Sequence, residues 1–244
     1  MQRNEILSEL GLTAWRLRGA ASLAEDTPPP KQPPAAPSEK TPAPLPILVE
    51  AFSGTREQRI AQLSWNDFAA DVAACTACEL CQTRIKPVPG VGDVRARWLF
   101  VGEGPGAEED KKGEPFVGQA GRLLDQMLAA LGMKRGNDVY IANVLKCRPP
   151  NNRAPTPQEA DACRPYLERQ IALIAPKVIV ALGKSAATLL LNTDASIASL
   201  RGRVHHYHDA PLVVTYHPAY LLRTPTDKAK AWEDLVFTKR LLER

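Results

Sequence analysis

The chain has 244 residues, of which 44% are hydrophobic, so it is long enough for one folded domain with an additional segment or for two small domains. The net charge of +4 permits a nucleic-acid partner without requiring one, because solvated basic surfaces are common. No run of about 18 apolar residues occurs, and the amphipathic N-terminus lacks the layout of a signal peptide. Neither a membrane span nor secretion is therefore expected, and we predict a cytoplasmic protein.

The first sixty residues differ in composition from the rest. Residues 1–25 form a short amphipathic segment, and residues 26–60 form a proline-rich linker. Nine of the nineteen residues from 28 to 46 are proline. Because proline lacks an amide hydrogen and has a fixed φ, this stretch cannot join a helix or a sheet. We expect residues 61–244 to form the folded domain, with a flexible N-terminal extension.

The remainder alternates between apolar strands and amphipathic helices. In chain order the pattern predicts strand 98–103, helix 118–133, strand 139–147, a helix from Pro157 with Thr156 and Glu159 as a capping box, strand 177–183, helix 185–191, strand 211–217 and helix 227–243. Such alternation predicts an α/β fold in which helices cover both faces of a parallel sheet. Ligands of these sheets bind at the carboxyl ends of the strands, which here carry GEGPG, Asn143 and His217.

Two stretches look like nucleotide-binding motifs, but each lacks a residue that such a site requires. GKS at 183–185 lacks the earlier glycine of a phosphate loop, because position 178 is valine. GEGPGA at 102–107 follows a strand, but the second strand ends in Lys146 and Cys147 rather than in the acidic residue that a dinucleotide site needs. Neither stretch therefore indicates a nucleotide site.

The chain has five cysteines, and their spacing indicates a metal site. Cys75 and Cys78 form a C-x-x-C pair, Cys147 lies at the end of the second predicted strand and Cys163 lies in the next helix. An odd number of thiols in a reducing compartment argues against a set of disulfides. Four thiolates suit either zinc or an iron–sulfur cluster, and spacing alone does not choose between them. Cys81 is the surplus thiol, either a replacement ligand or a free neighbour.

Three long motifs resemble those of the family 4 uracil-DNA glycosylases, which are iron–sulfur members of the uracil-DNA glycosylase superfamily. The motifs are GEGPGAEEDKKGEPFVGQAGRLLDQML, NVLKCRPPNNRAPTPQEADACRP and HPAYLLR, and the resemblance covers about residues 65–243. It implies a four-stranded parallel sheet in a three-layer αβα sandwich. It also implies a [4Fe–4S] cluster on Cys75, Cys78, Cys147 and Cys163, with zinc as the alternative.

The resemblance further implies a pocket for uracil flipped out of single- or double-stranded DNA. Phe116 would stack on the base, Asn143 would bond its polar edge and His217 would face O2, with Gly102 and Gly104 shaping the pocket. An asparagine amide offers uracil both a donor and an acceptor, whereas cytosine presents the reverse pattern. A histidine N–H would stabilise the charge that develops on the leaving base.

Other residues would carry out catalysis, the rejection of thymine and insertion into the DNA. By the same resemblance, Glu103 would lie next to the scissile bond and Glu109 would block the C5 methyl of thymine. Glu103 is the candidate base for the attacking water; alternatively, stabilisation of the leaving group and of the sugar cation supplies most of the rate. Leu221 or Leu222 would enter the DNA as a wedge, together with Arg223.

In the stretch ILSELGLTAWRLRGAASL, about a dozen residues, with the pattern Leu-Gly-Leu followed by Trp-x-Leu-Arg, are similar to the N-terminal peptide of the psi subunit of bacterial clamp loaders. The similarity predicts that residues 1–25 dock at the replication machinery. A disordered tail, or a helix packed on its own domain, is the alternative. For the whole chain the first hypothesis is a monofunctional, monomeric uracil-DNA glycosylase, since no lysine falls among the pocket motifs. The competing hypotheses are a non-catalytic iron–sulfur DNA-binding adaptor and a glycosylase with a broader range of damaged bases.

Overall fold

The central feature of the computed structural model, which describes residues 54–243, is one six-stranded sheet. Its strands are β1 Val91–Gly92, β2 Trp98–Gly102, β3 Val139–Asn143, β4 Val178–Leu182, β5 Val204–Tyr207 and β6 Ala210–Thr215. Their order across the sheet is β1-β3-β2-β4-β6-β5. Strands β3, β2, β4 and β6 are mutually parallel, and β1 and β5 are antiparallel to their neighbours.

The prediction of a four-stranded parallel sheet is therefore corrected to a mixed sheet of six strands. The four predicted strands form its centre, where every residue of β2, β3 and β4 is buried. The two additional strands lie at the edges. β1 has only two residues, and β5 has the sequence VHHY, so neither carries the apolar run that marks a buried strand.

Helices cover both faces of the sheet. Within residues 54–243 they are α1 Arg56–Ala61, α2 Trp65–Ala74, α3 Leu80–Thr83, α4 Ala107–Lys112, α5 Gln119–Ala130, α6 Pro157–Ile174, α7 Lys184–Leu191, α8 Ile197–Leu200, α9 Pro218–Arg223 and α10 Lys228–Leu242, with 3₁₀ turns at Pro150–Asn152 and Pro225–Asp227. None of the helices in this part of the chain is long and apolar enough to cross a membrane.

The alternation of side chains along each strand explains the layers. Leu99 and Val101 of β2 face a core that includes residues of α6 and α7, such as Leu167 and Ala187. Phe100, between them, faces a second core with residues of α5 and α10. Since successive strand residues point to opposite faces, one apolar strand supplies both cores.

The N-terminal boundary of the folded part needs a correction. Residues 56–60, assigned above to the linker, belong to α1, which begins with a capping box formed by Thr55 and Gln58. Ile60 of this helix is fully buried and packs with Phe68 of α2 and Tyr166 of α6. Residues 1–25 and most of the proline-rich stretch lie outside the described residues.

The register of the parallel strands brings their carboxyl ends to one edge. Gly102 at the end of β2 pairs with Asn143 at the end of β3, and Leu182 of β4 pairs with Thr215 of β6. The segments that follow these four strands therefore emerge side by side. Position in the sheet thus places the predicted pocket residues together, although they lie far apart in sequence.

Candidate active site

A cleft of about 510 Å³ opens at this carboxyl edge of the sheet. It is lined by most of the predicted pocket residues: Glu103, Gly104, Glu109, Phe116, Asn143, His217 and Arg223. They come from the end of β3, from the loops after β2 and β6, from α4 and the segment between α4 and α5, and from the end of α9. The structure therefore brings into one cleft the residues that were selected from three separate motifs.

Asn143 lies at the floor of the cleft and is 2% exposed. Its Oδ1 atom is buried and accepts no hydrogen bond from any group within residues 54–243. Gly102 lies directly behind it: a β-carbon there would overlap Oδ1 and come within 2.7 Å of the Phe116 ring. Glycine is thus required at Gly102 because the amide and the aromatic ring both occupy the space above its backbone.

Phe116 presents its ring to the cleft from an unusual backbone conformation, with φ of 54°. Arg135 holds this turn by donating to the carbonyl oxygens of Pro115 and Phe116, both at 2.8 Å. A non-glycine residue in the left-handed region costs about 1–3 kcal/mol and persists only where its surroundings fix it. The ring is therefore held rigidly, and it lies 5.5 Å from the His217 ring, centroid to centroid.

The carboxylate of Glu109 organises the same turn. Its Oε1 accepts hydrogen bonds from the backbone amides of Val117 at 2.9 Å and Gly118 at 3.0 Å, and its Oε2 accepts one from Gly106 at 3.1 Å. Glu109 thus joins the loop after β2 to the segment that carries Phe116. The side chain lines the cleft, as predicted, but it does so as a fixed wall with its oxygens already bonded.

His217 caps the N-terminus of α9, and this fixes its tautomer. Nδ1 accepts a hydrogen bond from the Ala219 amide at 3.1 Å, so the ring hydrogen of a neutral imidazole lies on Nε2. Burial, with a smaller effect of the Arg223 charge, lowers the pKa of His217 to about 4. Gly183, with φ of 90°, lies against the imidazole, where a β-carbon would come within 2.8 Å of the His217 β-carbon. His217 is therefore neutral near pH 7 and is placed to donate from Nε2.

Glu103 follows β2 and lines the cleft beside the start of α7. Burial raises the pKa of its carboxyl, and a hydrogen bond with the Ser185 side chain partly offsets that rise. A carboxylate in such a setting can accept a proton from water more readily than an exposed one. Glu103 thus combines a position in the cleft with a raised carboxyl pKa, the two properties that a candidate base for the water needs.

The two leucines predicted as wedges occupy different environments. Leu221 is 1% exposed, with its side chain in the protein interior, whereas Leu222 is 42% exposed. Burial makes Leu221 unavailable for insertion into DNA, so this half of the prediction is corrected. Leu222 and Arg223 remain as the exposed end of α9 beside the cleft.

Further polar groups line the cleft. Lys184 and Ser185 begin α7, where free backbone amides favour anions. Arg153, which also lines the cleft, forms a bidentate pair with Glu159 at 2.8 and 2.6 Å. Asn152, which sequence reasoning missed, accepts a hydrogen bond from Arg148 at 2.7 Å.

The five cysteines line one small cavity of about 10 Å³ between α2, α3, α6 and the loop after β3. Cys147 and Cys163 are buried, and Cys75, Cys78 and Cys81 are partly exposed. Within the described residues, no group of three or more His, Cys, Asp or Glu side chains is arranged to hold a single metal ion. The donor set nevertheless fits a thiolate-bound centre, because four thiols from distant parts of the chain face the same space.

Donor groups surround these thiols. Arg84 Nη1 lies 3.0 Å from Cys147 Sγ, and Arg56 Nη2 lies 3.5 Å from Cys75 Sγ. Burial raises the pKa of the Cys163 thiol to about 12. The pKa of Cys75 is lowered, because hydrogen bonds from the Ala77 amide and Arg56 outweigh the effect of burial. Sequence reasoning missed both arginines, since no spacing rule links them to the cysteines.

Comparison with protein families assigns the chain to a family. The model of the uracil DNA glycosylase superfamily matches residues 89–236, more than half of the chain. The chain therefore belongs to the uracil DNA glycosylase superfamily. A type-4 uracil-DNA glycosylase of Archaeoglobus fulgidus is 46% identical over 170 residues, covering 66% of this chain and 85% of that protein. Within the superfamily, the chain is a member of the type-4 uracil-DNA glycosylase family.

Two further relatives, one of type 4 and one of type 5, differ in how similar they are to this chain. A type-4 enzyme of Thermotoga maritima is 46% identical over 177 residues, covering 71% of this chain and 92% of that protein. A type-5 uracil-DNA glycosylase of Thermus thermophilus is 34% identical over 159 residues, covering 51% of this chain and 72% of that protein. The type-4 relatives are thus more similar over a longer stretch, which agrees with the resemblance found in the sequence motifs.

Proposed function

We propose that the chain is a monofunctional uracil-DNA glycosylase, which flips uracil out of DNA and hydrolyses its N-glycosidic bond to leave an abasic site. The observation that carries the proposal is the buried Oδ1 of Asn143, for which residues 54–243 supply no partner. An unpaired buried acceptor costs about 1–3 kcal/mol, so its retention in a cleft indicates a ligand that donates a hydrogen there. The N3–H of uracil is such a donor.

Base recognition follows from the floor and one wall of the cleft. Phe116 stacks on the flipped base, and such stacking contributes about 1–3 kcal/mol. The ring accepts any base, so discrimination rests on Asn143. Its Oδ1 accepts N3–H of uracil, whereas N3 of cytosine is itself an acceptor and leaves both groups unpaired. Glu109, held by three backbone amides, forms the rigid wall that excludes the C5 methyl of thymine.

Bond cleavage requires stabilisation of two charges. As the bond between C1′ and N1 breaks, its electron pair passes to uracil, and negative charge develops on O2. The Nε2–H of neutral His217 donates to that oxygen. Water adds to the C1′ cation, and Glu103 takes the proton that the water loses. Glu103 and His217 line the same cleft, which supports the proposal that they act on one base-sugar unit.

The cysteine site would hold a [4Fe–4S] cluster through Cys75, Cys78, Cys147 and Cys163. Such a cluster supplies a structural connection between the segment before β1, the loop after β3 and α6. Zinc on the same four thiolates is the alternative. A cytoplasmic location suits this site, since thiols stay reduced there.

The test is a cleavage assay on a labelled oligonucleotide with one deoxyuridine, using anaerobically purified protein and an absorbance scan near 400 nm. The proposal predicts alkali-labile product and a broad absorbance band. Borohydride should trap no covalent complex. A lyase would form one through a lysine, so this step tests the monofunctional prediction against Lys184, which lies outside the pocket motifs but lines the cleft. Absorbance without cleavage would support the DNA-binding adaptor instead. Cleavage by a colourless, zinc-loaded protein would retain the enzyme and reject the cluster.

Replacing Leu222 with alanine should lower kcat/KM on duplex DNA by about 10- to 100-fold, because an exposed leucine at the end of α9 is placed to fill the space left by the flipped base. Single-stranded DNA has no such space, so the loss there should be within about threefold. Leu222→Met, which conserves volume, is the matched control. Equal losses on both substrates would contradict insertion by Leu222.

The N-terminal part of the chain lies outside the described residues and enters only through its sequence. We propose that residues 1–25 bind a bacterial clamp loader and that the proline-rich stretch acts as the tether. Tethering would raise the local enzyme concentration near newly made DNA, where dUMP is misincorporated. A pull-down with residues 1–25 tests this interaction; no capture at micromolar concentrations would refute it. The glycosylase domain itself is proposed to act as a monomer.

A further inference from the structure

Lys146 is a charged side chain in the interior of the protein, 1% exposed, for which the mechanism above has no use. It lies in the loop after β3. Its Nζ donates to the carbonyl oxygen of Asn143 at 2.8 Å and to Oε1 of Gln170 at 2.5 Å. Lysine is almost never fully buried without a partner of opposite charge. The two hydrogen-bond acceptors of Lys146, however, are both neutral.

The opposite charge comes from the cysteine site. The lysines that form ion pairs with carboxylates within residues 54–243 are Lys111, Lys112 and Lys230, all of them on the surface. Lys146 lines the same small cavity as Cys147 and Cys163. Four thiolates around a cluster carry net negative charge, and a buried cation beside them needs no carboxylate.

Lys146 contacts both functional parts of the molecule. Its backbone amide donates to Cys163 Sγ at 3.2 Å, and its side chain donates to the backbone of Asn143. Asn143 is the residue whose free Oδ1 reads the base. One residue thus spans the distance between a proposed cluster ligand and the base-reading end of β3.

We propose that Lys146 is a positioning residue that couples the two sites: its ammonium is the buried counterion of the thiolate centre, and the same group fixes the backbone of Asn143. The inference rests on the proposed function, because it concerns the residue that reads uracil. It gives the cysteine site a role in base recognition that requires no redox step. Groups that orient a metal ligand or a reacting side chain from behind typically change affinity or activity by about 10- to 100-fold when replaced.

Two substitutions separate the two roles of the ammonium. Lys146→Met removes charge and hydrogen bond together, and we expect kcat/KM for deoxyuridine to fall by about 10- to 100-fold while the cluster is released to a chelator about tenfold faster. Lys146→Gln removes the charge but keeps a donor for Asn143. It should release the cluster faster while losing less than about tenfold in cleavage. Lys177→Met is the control, because Lys177 is an exposed lysine directly before β4, at the opposite end of that strand from the cleft. This variant should match wild type in both cleavage and cluster release.

The experiment uses the full-length, cluster-loaded protein throughout. Cluster release is followed as the decay of absorbance near 400 nm after addition of EDTA and a mild oxidant, and cleavage is measured on the deoxyuridine oligonucleotide with kcat and KM separated. Circular dichroism confirms folding of each variant. If Lys146→Met does not accumulate as folded protein, Lys146→Gln carries the test through its release rate.

The outcomes are distinct. Release rates of both folded variants within twofold of wild type would overturn the counterion role, and unchanged cleavage by Lys146→Met would overturn the positioning role. Faster release together with weaker cleavage by Lys146→Met supports both. If wild-type protein does not cleave deoxyuridine, the proposed function fails, yet the release rates still decide whether Lys146 balances the thiolate charge.

Discussion

Replacing Asn143 with aspartate should lower kcat/KM for deoxyuridine by about 10³-fold or more. The carboxylate would face O4 of uracil with an acceptor in place of the amide donor, and a site built around hydrogen bonds rejects a mismatched partner by several orders of magnitude. Burial makes the loss larger, because Asn143 is 2% exposed and water cannot supply the missing bond. In contrast, cytosine offers a donor at N4, so its relative rate should rise.

The measurement compares kcat/KM on matched oligonucleotides that contain deoxyuridine or deoxycytidine. Asn137→Asp introduces the same charge at an exposed position outside the cleft and controls for the change in net charge. Uracil cleavage by Asn143→Asp at the wild-type rate would refute base reading by this residue. Loss of uracil cleavage with an unchanged uracil-to-cytosine ratio would point to a structural role only.

Removal of the His217 imidazole is the second large effect, and His217→Ala should lower kcat by about 10²- to 10³-fold with little change in KM. The Nε2–H group would stabilise negative charge on O2 of uracil, and that charge exists mainly in the transition state. Its loss therefore lowers kcat more than it changes KM. The pKa of His217 is about 4, so the neutral donor is present from pH 8 down to about pH 5. His217 should therefore produce no decline in rate across that range.

An acid limb of the pH–rate profile should instead belong to Glu103. Burial raises the pKa of this carboxyl above its ordinary value, and only its ionised form accepts a proton from water. Glu103→Gln should remove the limb and lower the rate at pH 7. A variant that keeps the wild-type rate at pH 7 would favour catalysis by charge stabilisation without a base.

The same histidine makes stability depend on pH. Its pKa is about 4 in the folded protein and about 6.5 in the unfolded chain, so the unfolded state binds more protons as pH falls between these values. The free energy of unfolding should therefore drop by about 2 kcal/mol between pH 7 and pH 5 on account of His217. Urea unfolding at the two pH values measures the drop, and in His217→Ala this part of it should disappear.

Sequence patterns predict the centre of this fold well because apolar runs report burial directly. The helix that begins at Pro157, with its Thr156 capping box, follows the prediction to the residue. The edge strands β1 and β5 do not, since pairing with a neighbour rather than composition defines them. For the same reason Leu221 and Leu222 look equivalent in sequence, and only the packing of α9 shows which one is buried.

The candidate site shows a similar division. Spacing and motif predict that Glu103, Phe116, Asn143 and His217 share one edge of the sheet, because parallel strands end together. Neither spacing nor motif predicts the left-handed backbone at Phe116, which depends on the distant Arg135. The tautomer of a histidine depends likewise on one backbone amide. Contacts between residues distant in sequence supply the geometry that a local pattern cannot contain.

The way in which the first helices join the rest of the domain has a consequence for synthesis in the cell. Tyr166 of α6 bonds Asp71 of α2 across 95 residues of sequence, and Arg169 bonds the Leu63 carbonyl across 106 residues. At a translation rate of about 5–20 residues per second, α2 waits about 5–20 seconds for its partner to emerge from the ribosome. Because Cys163 lies in α6, a centre that uses all four proposed cysteine ligands can form only after α6 has been made.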